Sequence, residues 1–316
     1  MFRRSYNRMI LKVKITTQAP LLIRAGDAGL DPTASDLVAV RTRHGVAGRT
    51  VYIPGSSLRG VVRSTAEALL RSYEDGPQTK IRACNPLDRS SACDRKDGMR
   101  GGPDRHKPLD DQTAHLYSQH CSCCRTFGST ALKGRIAIRD LFPFRDGNHV
   151  MDDEKRNLAQ ANTLEHRHSV ALDRLTGAAR NGGLFDMEVV PPGVSFWGEI
   201  TLENFQLWQL GLLVTAFDQF EAGFAQLGSS KGRGFGLVSF QVEDLIHEQI
   251  IREGRASGVG ILASPKDREA YELCFTPADE FPPLEGEVRG ITRRFVVKQP
   301  VPWLDAARKA LGEELK

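Results

Sequence analysis

Five of the six cysteines crowd into the stretch from Cys84 to Cys124. Cys121 and Cys124 have two residues between them, a spacing that lets both thiolates reach one ion. Cys84 and Cys93, with eight residues between them, can supply a second pair, while Cys123, His115 and His120 compete as ligands. Four sulfurs, or three with one histidine, would close a tetrahedral structural zinc site and leave no position open for catalysis. No glutamate stands at the spacing that would activate a zinc-bound water, which argues against a catalytic zinc. Free thiols are the plain alternative, but in a reducing compartment such clustering points to metal before disulfides.

Two glycine-rich segments offer a different chemistry. Ile53-Pro54-Gly55-Ser56-Ser57-Leu58-Arg59-Gly60 and Gly228-Ser229-Ser230-Lys231-Gly232-Arg233-Gly234-Phe235-Gly236 each combine glycines, hydroxyls and cations. Glycine lets the backbone approach a ligand closely, and free N–H groups beside a cation favour phosphate. Ser56 and Ser57 fall where a helix should begin, with Ser56 as its N-cap and its N–H groups and dipole favouring phosphate, and Arg59 and Arg63 share one face of that helix and could extend the site onto RNA phosphate. Lys231 and Arg233 would hold phosphate in the second segment. The bland readings are a capped helix with a solvated arginine face and a flexible connection. Neither segment has the spacing of a mononucleotide or dinucleotide loop, so an RNA backbone suits them better.

Acid–base groups lie between these segments. Asp27, Asp31 and Asp36 occupy a loop over residues 24–50 that is rich in Gly, Asp, Arg and Thr. A carboxylate there could take a proton from an RNA 2′-hydroxyl, or hold a divalent ion against the developing charge. A solvated turn residue is the alternative. His166 and His168 sit in a polar stretch that also carries Arg174 and Arg180. Paired loop histidines are more often exposed than catalytic.

The elements that must position these groups follow from periodicity. Leu11, Val13 and Ile15 alternate with Lys12 and Lys14 as in a half-buried strand. Val51-Tyr52-Ile53 is a short strand, and Leu58, Val61, Val62, Thr65 and Leu69 mark a helix running to about Tyr73. Residues 74–120 show little periodicity, which needs a reason such as bound metal. Strands are expected over 135–142, twice within 185–203 around Pro191-Pro192-Gly193, over 236–242 and near 294–298. A polar hairpin or loop fills 143–184. Leu210, Leu213, Val214, Phe217, Phe224 and Leu227 predict a second helix, and a short one follows from about Trp303. The order β, α, β, β, α, β implies an α+β fold, a ferredoxin-like or RNA-recognition-type core with large insertions.

Composition sets outer bounds. The hydrophobic fraction of 40% suits a globular core, and 43 Lys and Arg against 39 Asp and Glu leave a net charge of only +4. That balance confines any nucleic-acid contact to local basic clusters. No apolar run approaches the roughly 20 residues of a membrane span, and no signal peptide opens the chain, so no membrane partner and a cytoplasmic location are expected.

Taken together, four ordered segments resemble the RAMP superfamily of CRISPR-associated proteins, and within it the repeating backbone subunit of type III effector complexes. They are Tyr52 to Gly60, the Cys-x-x-Cys-x-x-Phe-Gly-Ser of Cys121 to Ser129, Leu172-Asp173-Arg174-Leu175-Thr176-Gly177-Ala178-Ala179, and Gly232-Arg233-Gly234-Phe235-Gly236. They span roughly residues 10–243. The resemblance implies a ferredoxin-like domain over 1–243, with a zinc-binding insertion at about 76–127 and a thumb-like hairpin at about 143–184, whose Arg174 and Arg180 would contact the RNA backbone. Residues 244–316, which carry none of these motifs, would pack on it as a C-terminal extension.

The resemblance further implies CRISPR RNA and single-stranded target RNA as partners, and a head-to-tail filament with other RAMP subunits. Some family members cut the target with Mg²⁺ or Mn²⁺ through an aspartate in the loop before the first helix. Asp36-Leu37-Val38-Ala39-Val40-Arg41 matches that pattern best, although Val38 stands where the family usually has proline. Asp31 and Asp27 are the other candidates. Rival readings are a scaffold subunit that does not cut, a stand-alone endoribonuclease acting on precursor RNA, and a zinc-stabilised RNA-binding module unrelated to CRISPR. The endoribonuclease would need an acid–base pair near the second glycine-rich loop, where the sequence has no histidine.

Overall fold

The computed structural model describes residues 3–26, 35–73, 82–88, 92–93, 109–145, 149–251, 255–273 and 279–316. Asp27 and Asp31 lie outside the described residues. The long alternating segment forms β1 (Asn7–Thr17), whose Met9, Leu11, Val13 and Ile15 point into the core while Arg8 stands exposed. β1 is flanked by β7 (Ser195–Glu203) and β8 (Val238–Ile250), both antiparallel to it. β4 (Ile136–Ile138) joins β7 on one side, and β10 (Thr292–Val297) and β9 (Glu287–Arg289) extend the sheet beyond β8. The result is a six-stranded sheet in the order β4-β7-β1-β8-β10-β9.

Two helices supply the other half of the core. α1 (Gly55–Ser72) buries Leu58, Val62, Ala66 and Leu70, and α5 (Leu207–Glu221) buries Leu210, Leu213, Val214 and Phe217 in the same cluster as the β1 side chains. Burying each such large side chain contributes about 2 kcal/mol. α8 (Val301–Glu314) packs on α5 so closely that a Cβ on Gly211 would stand 2.1 Å from the Ala307 carbonyl oxygen. Among the described residues no helix is long and apolar enough to cross a membrane.

Several segments depart from the sequence expectation. The loop expected over 24–50 contains a hairpin of β2 (Arg41–His44) and β3 (Gly48–Val51). Its residues are mostly polar, so no apolar alternation announces it. Residues 74–120, expected to be irregular, include α2 (Leu109–Gln119), followed by the short α3 (Ser122–Phe127). The polar stretch 143–184 holds α4 (Asp152–Asn162) before its hairpin, and that hairpin pairs β5 (Glu165–Leu172) with β6 (Ala179–Val189). α5 stops at Glu221, ahead of Gly223 at φ +75°, leaving Phe224 84% exposed rather than on a helical face. α1 starts at Gly55 with Pro54 in the capping position, so Ser56 lies inside the first turn and is not the cap.

Candidate nucleic-acid interface

Residues 20–25 form a hub on which three separate parts of the chain converge. Leu21 exchanges backbone hydrogen bonds with Val190, the residue just past β6, at 3.0 and 2.9 Å. Ala25 donates to the Val38 carbonyl and Val40 to the Ile23 carbonyl, fixing the segment that carries Asp36. Ser229 donates to the Leu22 carbonyl at 2.8 Å, and Gly236 to that of Pro20 at 2.9 Å, fixing the second glycine-rich loop.

Asp36 therefore stands at the root of the β5–β6 hairpin. Leu37 runs beside β6, with its N–H on the Asp186 carbonyl and its carbonyl on the Glu188 N–H. The Asp36 side chain is exposed, and its Oδ2 accepts the Asp186 N–H at 3.0 Å. On the hairpin itself His168 faces Asp186, with Nδ1 2.6 Å from Oδ1. His166 Nδ1 lies 3.3 Å from Ser35 Oγ. An exposed carboxylate and an imidazole–carboxylate pair are a donor and acceptor set able to move protons. Asp186 escaped the sequence reading because it meets His168 only through cross-strand pairing, eighteen residues along the chain.

The glycine-rich loop brings one of its cations, Arg233, against the hairpin. Ser230 adopts φ 60°, Lys231–Arg233 form one short turn, and Gly234 and Gly236 adopt φ 81° and 82°. Lys231 and Arg233 are exposed, and the Arg233 guanidinium lies 5.1 Å above the Phe185 ring, the neighbour of Asp186. Farther along the hairpin, Arg174 and Arg180 are exposed around a turn in which Asp173 Oδ1 accepts from the Leu175 and Thr176 N–H groups, both at 2.9 Å. Those hydrogen bonds, the Thr176 backbone first, hold the Asp173 carboxyl below its ordinary range. Leu175 at the tip is 96% exposed.

The first glycine-rich segment serves packing more than ligand approach. A Cβ on Gly55 would lie 2.2 Å from the Ile138 carbonyl oxygen, and the Gly55 N–H donates to Asp140 Oδ1 at 2.8 Å. Ser56 is exposed and Ser57 half-buried in the first turn of α1. Arg59 and Arg63, expected on RNA phosphate, turn instead toward the cysteines. Arg59 donates to the Phe127 carbonyl, and Arg63 donates to the Gly128 carbonyl at 3.1 Å and approaches Cys124 Sγ at 3.8 Å.

Cys84, Cys93, Cys121 and Cys124 are all buried, with their sulfurs within 4.8 Å of one another. Cys121 Sγ accepts the N–H groups of Cys84 and Cys124, each at 3.4 Å, and Cys93 Sγ accepts that of Cys121 at 3.3 Å. Sulfur contacts, Cys121 first, pull the Cys84 thiol well below its ordinary value, and donation toward Cys121 pushes Cys124 far above it. The set fits a tetrahedral ion. Bonds of about 2.3 Å put sulfurs about 3.8 Å apart, and Cys84 and Cys124 are 3.6 Å apart. The competing ligands are placed elsewhere. Cys123 faces Glu67 at 3.9 Å, His120 contacts Ser129 Oγ at 2.9 Å, and His115 is exposed on α2.

Comparison with known proteins gives this arrangement a family. Among solved structures, a chain of a Type IV-B CRISPR Complex is similar at a TM-score of 0.45, with 22% identity, covering 74% of this chain and 89% of that one. No curated protein matches. The sequence model of the RAMP superfamily matches residues 14–239, from β1 through both glycine-rich segments into β8, and the chain belongs to that superfamily.

Proposed function

We propose that this chain is an RNA-binding backbone subunit of a type III CRISPR effector complex, and that it cleaves target RNA paired to the guide. Superfamily membership and the four ordered motifs support the assignment. The trunk order β1-α1-β4-β7-α5-β8, with β8-β1-β7-β4 side by side, supports a ferredoxin-like core. CRISPR RNA would lie against Lys231, Arg233 and the first turn of α1, held through phosphate and sugar and so without sequence preference. Further subunits would stack head to tail, with Arg174 and Arg180 on the hairpin touching backbone. A structural zinc at Cys84, Cys93, Cys121 and Cys124 would fix the insertion onto α1.

The observation that carries the catalytic part is the position of Asp36 at the hairpin root, its Oδ2 on the Asp186 N–H, one residue along β6 from the Phe185 ring that Arg233 covers. Its carboxylate takes the proton of the 2′-hydroxyl while the guanidinium holds phosphate. Oδ1 has no hydrogen-bond partner among the described residues. One such oxygen together with RNA phosphates is a donor set of the kind Mg²⁺ or Mn²⁺ accepts. A divalent ion bound there would neutralise charge on the phosphate.

The test is cleavage of a labelled, guide-matched RNA by the assembled complex with Mg²⁺ or Mn²⁺. Asp36→Ala should abolish discrete cuts, a loss of about a hundredfold or more, with RNA binding intact. Unchanged cuts would move the chemistry to another carboxylate. A scaffold reading has its own support, since Asp36 Oδ2 is spent on the Asp186 N–H; absence of cuts in wild type would favour it.

A further inference from the structure

RNA cleavage by its own 2′-hydroxyl moves two protons. The O2′–P bond forms as the 2′-oxygen loses one, and the P–O5′ bond breaks as the 5′-oxygen gains one. The products are a 2′,3′-cyclic phosphate and a 5′-hydroxyl, and nothing is oxidised or reduced. Asp36 serves the first transfer. The second needs a group that carries a proton near neutral pH, and histidine is the side chain that ordinarily titrates there.

One histidine is coupled to Asp36 through a single residue. The Asp186 N–H donates to Asp36 Oδ2 at 3.0 Å, and the Asp186 carboxylate lies 2.6 Å from His168 Nδ1. Asp186 thus grips the carboxylate with its main chain and the imidazole with its side chain. Accepting the Nδ1 proton orients the ring and leaves Nε2 as the exchanging nitrogen. The His168 side chain is 75% exposed, so Nε2 is open to a strand lying across the hairpin root. Among the described residues, two further titratable groups on this face of the hairpin are held by neighbours. His166 pairs in register with Glu188 and contacts Ser35. Glu188 is held by Arg41 at 3.0 Å.

We propose that His168 is the general acid of the cleavage, passing its Nε2 proton to the departing 5′-oxygen, with Asp186 as the positioning residue that aims it. The proposal rests on Asp36 being the cutting carboxylate.

The assembled complex, loaded with guide and Mg²⁺, would be given two matched RNAs. One is ordinary; the other has sulfur in place of the bridging 5′-oxygen at the cut position. A thiolate departs without a proton. His168→Ala should slow cutting of the ordinary RNA by about a hundredfold, erase the alkaline limb of its pH profile, and return to near the wild-type rate on the sulfur-bridged RNA. Asp186→Asn should show a smaller loss with the same rescue, whereas Asp36→Ala should stop both substrates. Wild-type cutting of ordinary RNA by His168→Ala overturns the acid role and leaves Asp36 standing. Equal slowing on both RNAs overturns it as well, in favour of a structural role. If wild type cuts neither RNA, the reading of Asp36 falls, and the proposal with it.

Discussion

Within the second glycine-rich loop, glycines that look alike in sequence do unlike work. Gly236 sits at φ 82°, and a Cβ there would lie 2.0 Å from the Leu227 carbonyl oxygen. Gly232 has nothing within 4 Å of where a Cβ would stand. Gly236→Ala must therefore bear both a left-handed backbone and a clash, about 2 kcal/mol or more, and should lower the melting temperature by several degrees. Gly232→Ala should leave melting unchanged and weaken binding of single-stranded RNA, measured by fluorescence anisotropy, because it fills space open to a phosphate. Equal melting losses in the two variants would refute this division. The sequence announces the loop but not the division, since the constraint on Gly236 comes from the Leu227 backbone. Arg59 and Arg63 illustrate the same limit: their helical spacing was legible, but the carbonyls and sulfur that hold them lie more than sixty residues away.

Elements are joined by buried polar groups with their own pH signatures. Asp279 accepts the Leu207 N–H at 2.8 Å, at the start of α5, and the Gly260 N–H at 3.1 Å, in α6 (Val259–Leu262). Burial pushes its carboxyl up to about 7, against the backbone hydrogen bonds. The folded state then keeps a proton that the unfolded chain loses at about pH 4. Its stabilising contribution is complete at low pH and lost as pH rises toward about 7, at up to about 1.4 kcal/mol per unit. His247 works in the opposite sense. Burial lowers it to about 4, so its contribution is lost as pH falls below its ordinary value of about 6.5.

The two slopes oppose each other in the overlap, and wild type alone should look flat there. The melting temperature of wild type minus that of Asp279→Asn should decline from pH 4 to pH 7; a constant difference would count against a buried, protonated Asp279. Strand ends show a comparable masking in sequence. The alternation of β8 fails after Val242 because the register against β1 shifts there, Lys12 facing Asp244 and Val13 facing Val242. Glu243 is the extra residue of that bulge, and the strand resumes in opposite phase as far as Ile250.

At the scale of the whole molecule, the alternating strands and amphipathic helices of the trunk were legible because burial itself generates their periods. The cysteine insertion was legible only as a spacing, and its consequence for the rest of the chain emerges from its neighbours. Cys84 and Cys124 meet Arg71 and Arg63 of α1, which in turn share Glu67, through contacts of 2.8 to 3.8 Å. Gly55 at the head of that helix packs on the end of β4. An ion at the four sulfurs would therefore brace the helix that completes one side of the core, and its loss should be felt globally. The purified chain should contain one zinc, and chelation should lower its melting temperature by on the order of 10 °C. Cys84→Ser, Cys93→Ser, Cys121→Ser and Cys124→Ser should each lose zinc, while Cys123→Ala should keep it, because the Cys123 thiol faces Glu67 at 3.9 Å. Metal-free native protein that melts at the same temperature with and without chelator would instead mean that the four sulfurs are thiols packed as part of the core.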